Sequence, residues 1–254
     1  MKLRTLSIIF AAVFALSINS LSAFAVDSPE FGLDLAYASK YVWRGAVFAT
    51  DGVFQPSLTG SMDELSVNLW GNMDLTDEKG ITRKMNEWDY TVDYSSGIES
   101  IEGLSYSVGI IGYTFPNGGD STTEFYAGAS YDTFLSPSVT VYKDVEAIDG
   151  TYVLLGGGYS VPVADITSID ISGSVGFGSE NMNMALYGSY ESGAGISDAL
   201  IVVSAPFAIA EYFFITAIIE VSSILDDDGI DTYEADDNLD PINIIIGLTF
   251  STTF

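Results

Sequence analysis

The sequence predicts an all-β fold, a transmembrane antiparallel up-and-down β-barrel of about twelve strands. Apolar and polar residues alternate with a period of two along many short stretches, which is typical of strands whose two faces have different surroundings. Hydrophobic residues make up 48% of the chain although its formal charge is −27, and the mean hydropathy is +0.30. An apolar outer wall, a polar interior and charged loops combine these properties in one fold.

The carboxy-terminal stretch, residues 241–254, shows the alternation most clearly. The even positions are mostly apolar: Ile242, Ile244, Ile246, Leu248, Phe250, Thr252 and Phe254. The odd positions are mostly small or polar. A terminal strand that ends on an aromatic residue resembles the assembly signal of bacterial outer-membrane β-barrels. We therefore expect the barrel assembly machinery to be a partner of the strand that ends at Phe254.

The amino-terminal residues 1–25 have the features of a secretory signal peptide. Lys2 and Arg4 precede an apolar segment that is too short to span a bilayer comfortably, and Ala23-Phe24-Ala25 fits a cleavage site with small residues. Cleavage removes two positive charges and takes the formal charge from −27 to −29. Residues 26–254 are then expected to form one outer-membrane barrel domain.

Twelve strands are expected in chain order, and an even number places both termini on the same side of the membrane. Their approximate ranges are 31–44, 53–61, 65–75, 87–94, 104–115, 122–132, 138–145, 151–161, 167–177, 197–205, 212–224 and 241–254. Short connections alternate with longer, more acidic ones, which resembles periplasmic turns and extracellular loops. The segment 178–196 is expected to be a loop or, around residues 185–190, an extension of a strand pair.

One apolar stretch, residues 199–219, has the hydropathy of a transmembrane helix because Glu211 is its only charge. Pro206 lies in its middle, and β-branched and aromatic residues dominate it. A hairpin with a turn at residues 206–211 is therefore favoured over a helix.

The composition limits the classes of function. So negative a surface is a poor partner for nucleic acid. The absence of His excludes mechanisms that need an imidazole base, including a serine–histidine triad, although chemistry based on Asp alone is left open. No enzyme activity and no cofactor are expected.

The acidic segment Asp226–Asp231 has its glycine at the fourth position rather than the sixth, so it does not fit an EF-hand calcium loop. A solvated acidic loop is favoured, and weak bridging of divalent cations is left open.

If the apolar faces contact lipid, the opposite faces line the lumen. The residues expected to line a pore are Asp34, Lys40, Arg44, Asn72, Asp89, Asp93, Glu124, Asp132, Asp144 and Glu220. In the first strand, Tyr41 and Trp43 are expected on the outer face. Lys40 and Arg44 are expected to pair inside the lumen with carboxylates such as Asp89 or Asp93. That cluster would serve as a structural network or as a selectivity site.

Several short motifs, taken in order, resemble the TorF-like family of outer-membrane porins. They are Tyr41-Val42-Trp43-Arg44-Gly45, Gln55-Pro56-Ser57-Leu58, Leu69-Trp70-Gly71-Asn72, Asn86-Glu87-Trp88-Asp89-Tyr90, Tyr113-Thr114-Phe115-Pro116-Asn117, Thr123-Glu124-Phe125-Tyr126-Ala127-Gly128, Tyr142-Lys143-Asp144 and Gly150-Thr151-Tyr152. The resemblance covers residues 31–161 and implies a barrel in the outer membrane. It is consistent with passive diffusion of ions or small solutes, and the acidic charge predicts a preference for cations. The alternatives are a structural barrel with a plugged lumen and a soluble secreted β-sandwich.

Overall fold

The computed structural model describes residues 29–77, 80 and 83–254, and most of this chain forms a closed barrel of antiparallel strands. Twelve strands build the wall, so the predicted fold is confirmed. The expected signal peptide, residues 1–25, lies outside the described residues. Neither described helix is long and apolar enough to span a membrane.

The described part of the chain contains fourteen strands and two helices. The strands are β1 (Glu30–Ala38), β2 (Tyr41–Trp43), β3 (Ala46–Ala49), β4 (Val53–Met62), β5 (Leu65–Asp74), β6 (Met85–Gly97), β7 (Leu104–Thr114), β8 (Thr122–Tyr131), β9 (Ser138–Asp144), β10 (Thr151–Ala164), β11 (Thr167–Gly178), β12 (Gly195–Ala210), β13 (Phe213–Ile224) and β14 (Ile242–Thr253). The helices are α1 (Glu180–Tyr187) and α2 (Asp227–Glu234).

The wall closes because β14, the last strand, pairs with β1, the first. The Phe31 N–H donates to the Phe254 carbonyl at 3.0 Å, and the Phe254 N–H donates back at 2.9 Å. β1 also pairs directly with β4, so the small β2–β3 hairpin is not part of the wall. The end of the barrel that carries the termini has short turns and is called the turn end. The opposite end, which carries the hairpin and both helices, is called the loop end.

The outer surface of the wall is apolar, as the alternation predicts. The side chains of Ile244, Ile246 and Leu248 on β14 point outward and are exposed, whereas Asn243 and Ile245 point inward and are buried. Aromatic rings gather on the outer surface near the turn end, and neighbouring rings pack as Phe31–Phe254, Phe134–Tyr159 and Phe213–Phe250. A tall apolar band with an aromatic girdle is the surface that a bilayer requires of a barrel.

Prolines in the wall lie where the hydrogen-bond ladder is already interrupted. Pro206 lies between Ser204 and Phe207, where the β11–β12 ladder has a gap in its pairs, and Pro162 lies at an irregularity of β10. Proline has no N–H to donate, so these positions avoid the loss of a ladder bond. The hairpin predicted for residues 199–219 is confirmed, but its predicted turn at 206–211 is wrong. β12 continues through Pro206 to Ala210.

The first predicted strand differs from the structure in a way that affects the lumen. β1 ends at Ala38, and the following residues form the β2–β3 hairpin where a continued strand and a loop were expected. Arg44 and Gly45 both have positive φ, at 50° and 80°, which allows the tight reversal between β2 and β3. Tyr41 and Trp43 therefore do not lie on the outer face. Tyr41 is buried against Phe48 and Trp70.

Candidate functional site in the barrel lumen

The inward side chains become more accessible from the loop end to the turn end along one side of the wall. On β4, Val53 is fully buried and Gln55 is buried, whereas Ser57 and Thr59 are only partly buried. The same change occurs on β5 to β10. On β11 to β14 and β1, several small polar residues stay buried close to the turn end. The lumen is therefore filled at the loop end and has its most accessible inner surface along β4 to β10 near the turn end.

A hydrophobic core fills the loop-end half of the lumen. It is built by inward residues of the wall and by residues of the hairpin and of both helices. Its buried members are Ala46, Ile111, Tyr113, Tyr142, Tyr152, Leu154, Met182, Leu186, Tyr187, Ile224 and Tyr233. The hairpin, α1 and α2 together form the segment that we call the plug, because they occupy this half of the barrel.

Arg44, at the tip of the hairpin, lies at the centre of the plug. Its Nη1 is 2.7 Å from Glu124 Oε1, and its Nη2 is 2.8 Å from Glu124 Oε2. The guanidinium carbon lies 4.2 to 4.8 Å from the ring centroids of Trp43, Tyr142 and Tyr152. Both charges are almost fully buried. Parallel hydrogen bonds and aromatic faces compensate for desolvation of the pair, which would otherwise be costly.

Glu124, on the wall strand β8, has a second donor. The Tyr113 hydroxyl donates to its Oε2 at 2.8 Å. The carboxylate therefore accepts hydrogen bonds from both the plug and the wall. The expected pairing of Arg44 with Asp89 or Asp93 is wrong, because Arg44 pairs with Glu124.

Two tyrosines from the helices hold the backbone of the hairpin. The Tyr187 hydroxyl donates to the Arg44 carbonyl at 3.1 Å, and the Tyr233 hydroxyl accepts from the Val47 N–H at 2.9 Å. Burial raises the pKa of the Tyr187 phenol above its usual value, so this hydroxyl keeps its proton and remains a donor. The hairpin and the helices are thus joined into one packed unit.

The segments around the helices were expected to be loops, and their polar residues stabilise the helix ends. Asp226 caps α2 by accepting from the Gly229 N–H at 2.8 Å, and it also accepts from the Ser192 hydroxyl at 2.7 Å. The expectation of a strand extension at residues 185–190 is wrong, because α1 runs to Tyr187. Among the described residues, no group of three or more acidic, His or Cys side chains is placed to hold a metal ion.

Most of the residues expected to line a pore do point into the barrel. Asp34, Asn72, Asp89, Glu124, Asp144 and Glu220 are buried on the inner wall. Asp93 is partly buried and accepts from the Tyr126 hydroxyl. Asp132 differs, because β8 ends at Tyr131 and Asp132 is exposed in the turn that follows.

Several of these residues have structural partners. Asp144 accepts from the Thr122 hydroxyl and from three backbone N–H groups of the β9–β10 loop, including those of Ile148 and Asp149. Asn72 donates to Asp74 Oδ1 at 3.1 Å. Lys40 Nζ donates to Asn243 Oδ1 at 2.8 Å near the loop end. These contacts stabilise the loop-end part of the wall and the loops attached to it.

Asp89 has a different environment. It is only 3% exposed on the inner face of β6, and its Oδ1 has no hydrogen-bond partner among the described residues. A buried carboxylate oxygen without a protein partner is costly unless water, a proton or a cation satisfies it. Asp89 shares this feature with Asp74 and Asp170, each of which has a buried Oδ2 without a partner among the described residues.

The sequence did not point to the aromatic residues around Arg44 as a site. Tyr152 donates to Asp198 Oδ1 at 2.7 Å, and Met182 Sδ lies 3.6 Å from Arg44 Nη1. The Tyr142-Lys143-Asp144 and Gly150-Thr151-Tyr152 motifs were noted, but nothing in their spacing shows that two of their rings flank one guanidinium. Only the closed barrel brings these strands to the hairpin tip.

No family model matches the sequence, and no curated protein matches it. Solved structures do match the fold. The NanC porin, at 10% identity and a TM-score of 0.53, aligns over 87% of this chain and 98% of that one. The KdgM porin in complex with disordered oligogalacturonate aligns at 7% identity and a TM-score of 0.55, over 88% and 99% of the two chains. An outer membrane channel from Pseudomonas putida F1 aligns at 11% identity and a TM-score of 0.50, over 94% and 100%.

The fold is that of outer-membrane channels. The barrel is accordingly one of the bacterial outer membrane, and its apolar outer surface contacts lipid. The resemblance to the TorF-like family stays a prediction, because no family model matches.

Proposed function

We propose that this barrel is a porin through which ions or small solutes diffuse passively, with a preference for cations. The observation that carries the proposal is the charge of the inner wall. Asp34, Asp89 and Asp93 face inward on the wall strands. The described basic side chains at the inner wall are Lys40 and Arg44, and Glu124 already neutralises Arg44.

An acidic inner wall attracts cations through its electrostatic field. Because the protein wall has a low dielectric constant, the field of the carboxylates is concentrated in the lumen, and the local concentration of cations rises. The long loops at the loop end are also acidic, and the mature chain would carry −29 after cleavage at residue 25. The preference should weaken as salt rises, because the Debye length falls from about 10 Å at 0.1 M to about 3 Å at 1 M.

The test is the reversal potential of the purified protein in a planar bilayer across a KCl gradient. The unmodified protein should prefer K⁺ over Cl⁻. The double variant Asp89→Asn with Asp93→Asn should lose part of that preference. Asp132→Asn, which removes the same charge from an exposed turn, is the matched control and should change little. Preference for Cl⁻ in the unmodified protein would contradict the proposal.

The filled loop-end half supports a second candidate, a structural barrel whose lumen is closed. Arg44 and Tyr152 are both buried where the core fills this half of the lumen. This candidate predicts that neither the unmodified protein nor any variant of the plug conducts ions.

We also propose that the barrel assembly machinery recognises the chain through β14. Lys at Ile246, in mid-strand on the lipid face, should leave the protein unassembled, because a charge at the bilayer midplane costs about 2–4 kcal/mol. Ile242→Lys places the same charge on the same face at the end of the strand, where the cost falls to about 0–1 kcal/mol, and is the control. Deletion of Phe254 should also impair assembly. Normal heat-modifiable migration of Ile246→Lys and of the deletion on gels would count against this role.

A further inference from the structure

The β2–β3 hairpin is attached to the barrel without being part of it. It forms a two-stranded sheet of its own, and β1 and β4 pair with each other beside it. Its two ends are fixed at the wall, where the Ser39 N–H donates to the Ile246 carbonyl and the Leu75 N–H donates to the Gly52 carbonyl. The wall ladder would therefore remain intact if the hairpin left the lumen.

The hairpin is held inside by apolar packing along its length and by polar contacts near its tip. Two hydrogen bonds, to Tyr187 and Tyr233, hold its backbone. The strongest polar contact is the bidentate pair between Arg44 and Glu124, which joins the hairpin to β8 of the wall. Tyr142 and Tyr152, on the adjacent strands β9 and β10, complete the surroundings of the guanidinium. The wall thus supplies a site for one planar cation, and the hairpin supplies the cation.

We propose that the β2–β3 hairpin is a gate of the channel, and that the seating of Arg44 between Glu124 and the aromatic rings is the contact that keeps the gate closed. This inference rests on the proposed channel function, because a gate has meaning only where ions can pass. When Arg44 leaves its site, the hairpin loses its one charged anchor to the wall. The part of the loop-end half that the hairpin fills then becomes accessible from outside.

The first experiment locks the gate with a disulfide. A Cβ built on Gly45 would lie 2.9 Å from Asp198 Cβ, which is closer than the roughly 3.5–4.5 Å of a disulfide. Gly45→Cys with Asp198→Cys therefore brings two thiols together only if the hairpin tip moves slightly away from β12 and Cys accepts the positive φ of Gly45. The chain contains no Cys, so the engineered pair is the only one that reacts. In a planar bilayer, the oxidised variant should conduct several-fold less than the same protein after reduction. Equal conductance in the two redox states would overturn the gate while leaving the channel in place.

The second experiment releases the gate. Arg44→Ala should raise the conductance several-fold. Lys143→Ala is the matched control, because Lys143 forms an exposed ion pair with Asp149 at 2.6 Å outside the lumen, and it should leave conductance unchanged. An Arg44→Ala protein that conducts no more than the parent would contradict the role of Arg44.

Chemical rescue distinguishes loss of the specific Arg44–Glu124 contact from a general loss of packing. Guanidinium at millimolar concentration is comparable to the effective concentration of a tethered group, and it should lower the conductance of Arg44→Ala by refilling the site. Urea has a similar planar shape without the charge and should not. Guanidinium should also fail on the double variant Arg44→Ala with Glu124→Gln, which lacks the carboxylate. Equal responses to guanidinium and urea would overturn the proposed site, and an absence of conductance in every variant and redox state would overturn the channel together with its gate.

Discussion

The two halves of the lumen are enclosed by the same wall but have different contents. At the loop end, Tyr113, Tyr152 and Met182 pack into a buried core around one ion pair. Toward the turn end, the inward positions of β4 to β10 are mostly Ser, Thr, Asn and Gly, and many of them are partly buried. The difference follows from the connections. Long segments at the loop end can fold back into the barrel, whereas turns of two residues such as 63–64 cannot.

Cysteine labelling should show the largest contrast between the halves. Ser66 points inward near the turn end and is partly buried, whereas Ser222 points inward near the loop end and is buried. With Ser66→Cys, a small water-soluble maleimide should react readily with the folded barrel. Ser222→Cys should react only after unfolding. Similar labelling rates for the two folded variants would remove the distinction between a filled and an accessible half.

Truncation of a core side chain should show a smaller but clear contrast in stability. Met182 is fully buried in the plug, so Met182→Ala should lower the free energy of unfolding by about 2–5 kcal/mol. Ser172 is a partly buried inward residue of β11, and Ser172→Ala should stay within about 0.5 kcal/mol. Urea unfolding in detergent micelles, followed by tryptophan fluorescence, measures both. Equal effects would mean that the plug contributes little to the stability of the barrel.

The smallest expected effect lies at the boundary between the halves. The Tyr126 hydroxyl donates to Asp93, and both side chains are partly buried. Tyr126→Phe should cost no more than about 1 kcal/mol, because water can replace the lost donor in an accessible lumen. The same unfolding experiment applies. A loss comparable to that of Met182→Ala would show that the buried core extends further toward the turn end.

The wall of the barrel could be predicted from the sequence because one physical rule governs it. Tyr90 and Val92 alternate with Asp89 and Thr91 on β6, and the structure places the first pair outside and the second pair inside. Lipid on one side and a polar interior on the other impose this period of two on every wall strand. Residues 199–219 were likewise correctly predicted to form a pair of strands, β12 and β13, rather than a transmembrane helix.

The contents of the barrel could not be predicted from the same rule. Tyr41 and Trp43 alternate as an outer face would, but they pack inside, because a lumen filled with apolar side chains favours the same residues as lipid. Arg44 and Glu124 are 80 residues apart in the chain, and charge alone made Asp89 an equally good partner. The short helices α1 and α2 are stabilised by packing onto the hairpin, which no local pattern reveals.

The pairing of the first wall strand with the last has a consequence for how the chain must be produced. Until β14 reaches β1, the sheet has two edges whose backbone amides and carbonyls lack partners, and such edges recruit other chains. Because the closing contact, Gly32 with Thr253, joins the opposite ends of the described chain, closure is a non-local and therefore slow event. A product shortened by its final strand would be an open sheet rather than a smaller barrel. Closure of the wall thus depends on the residues of β14.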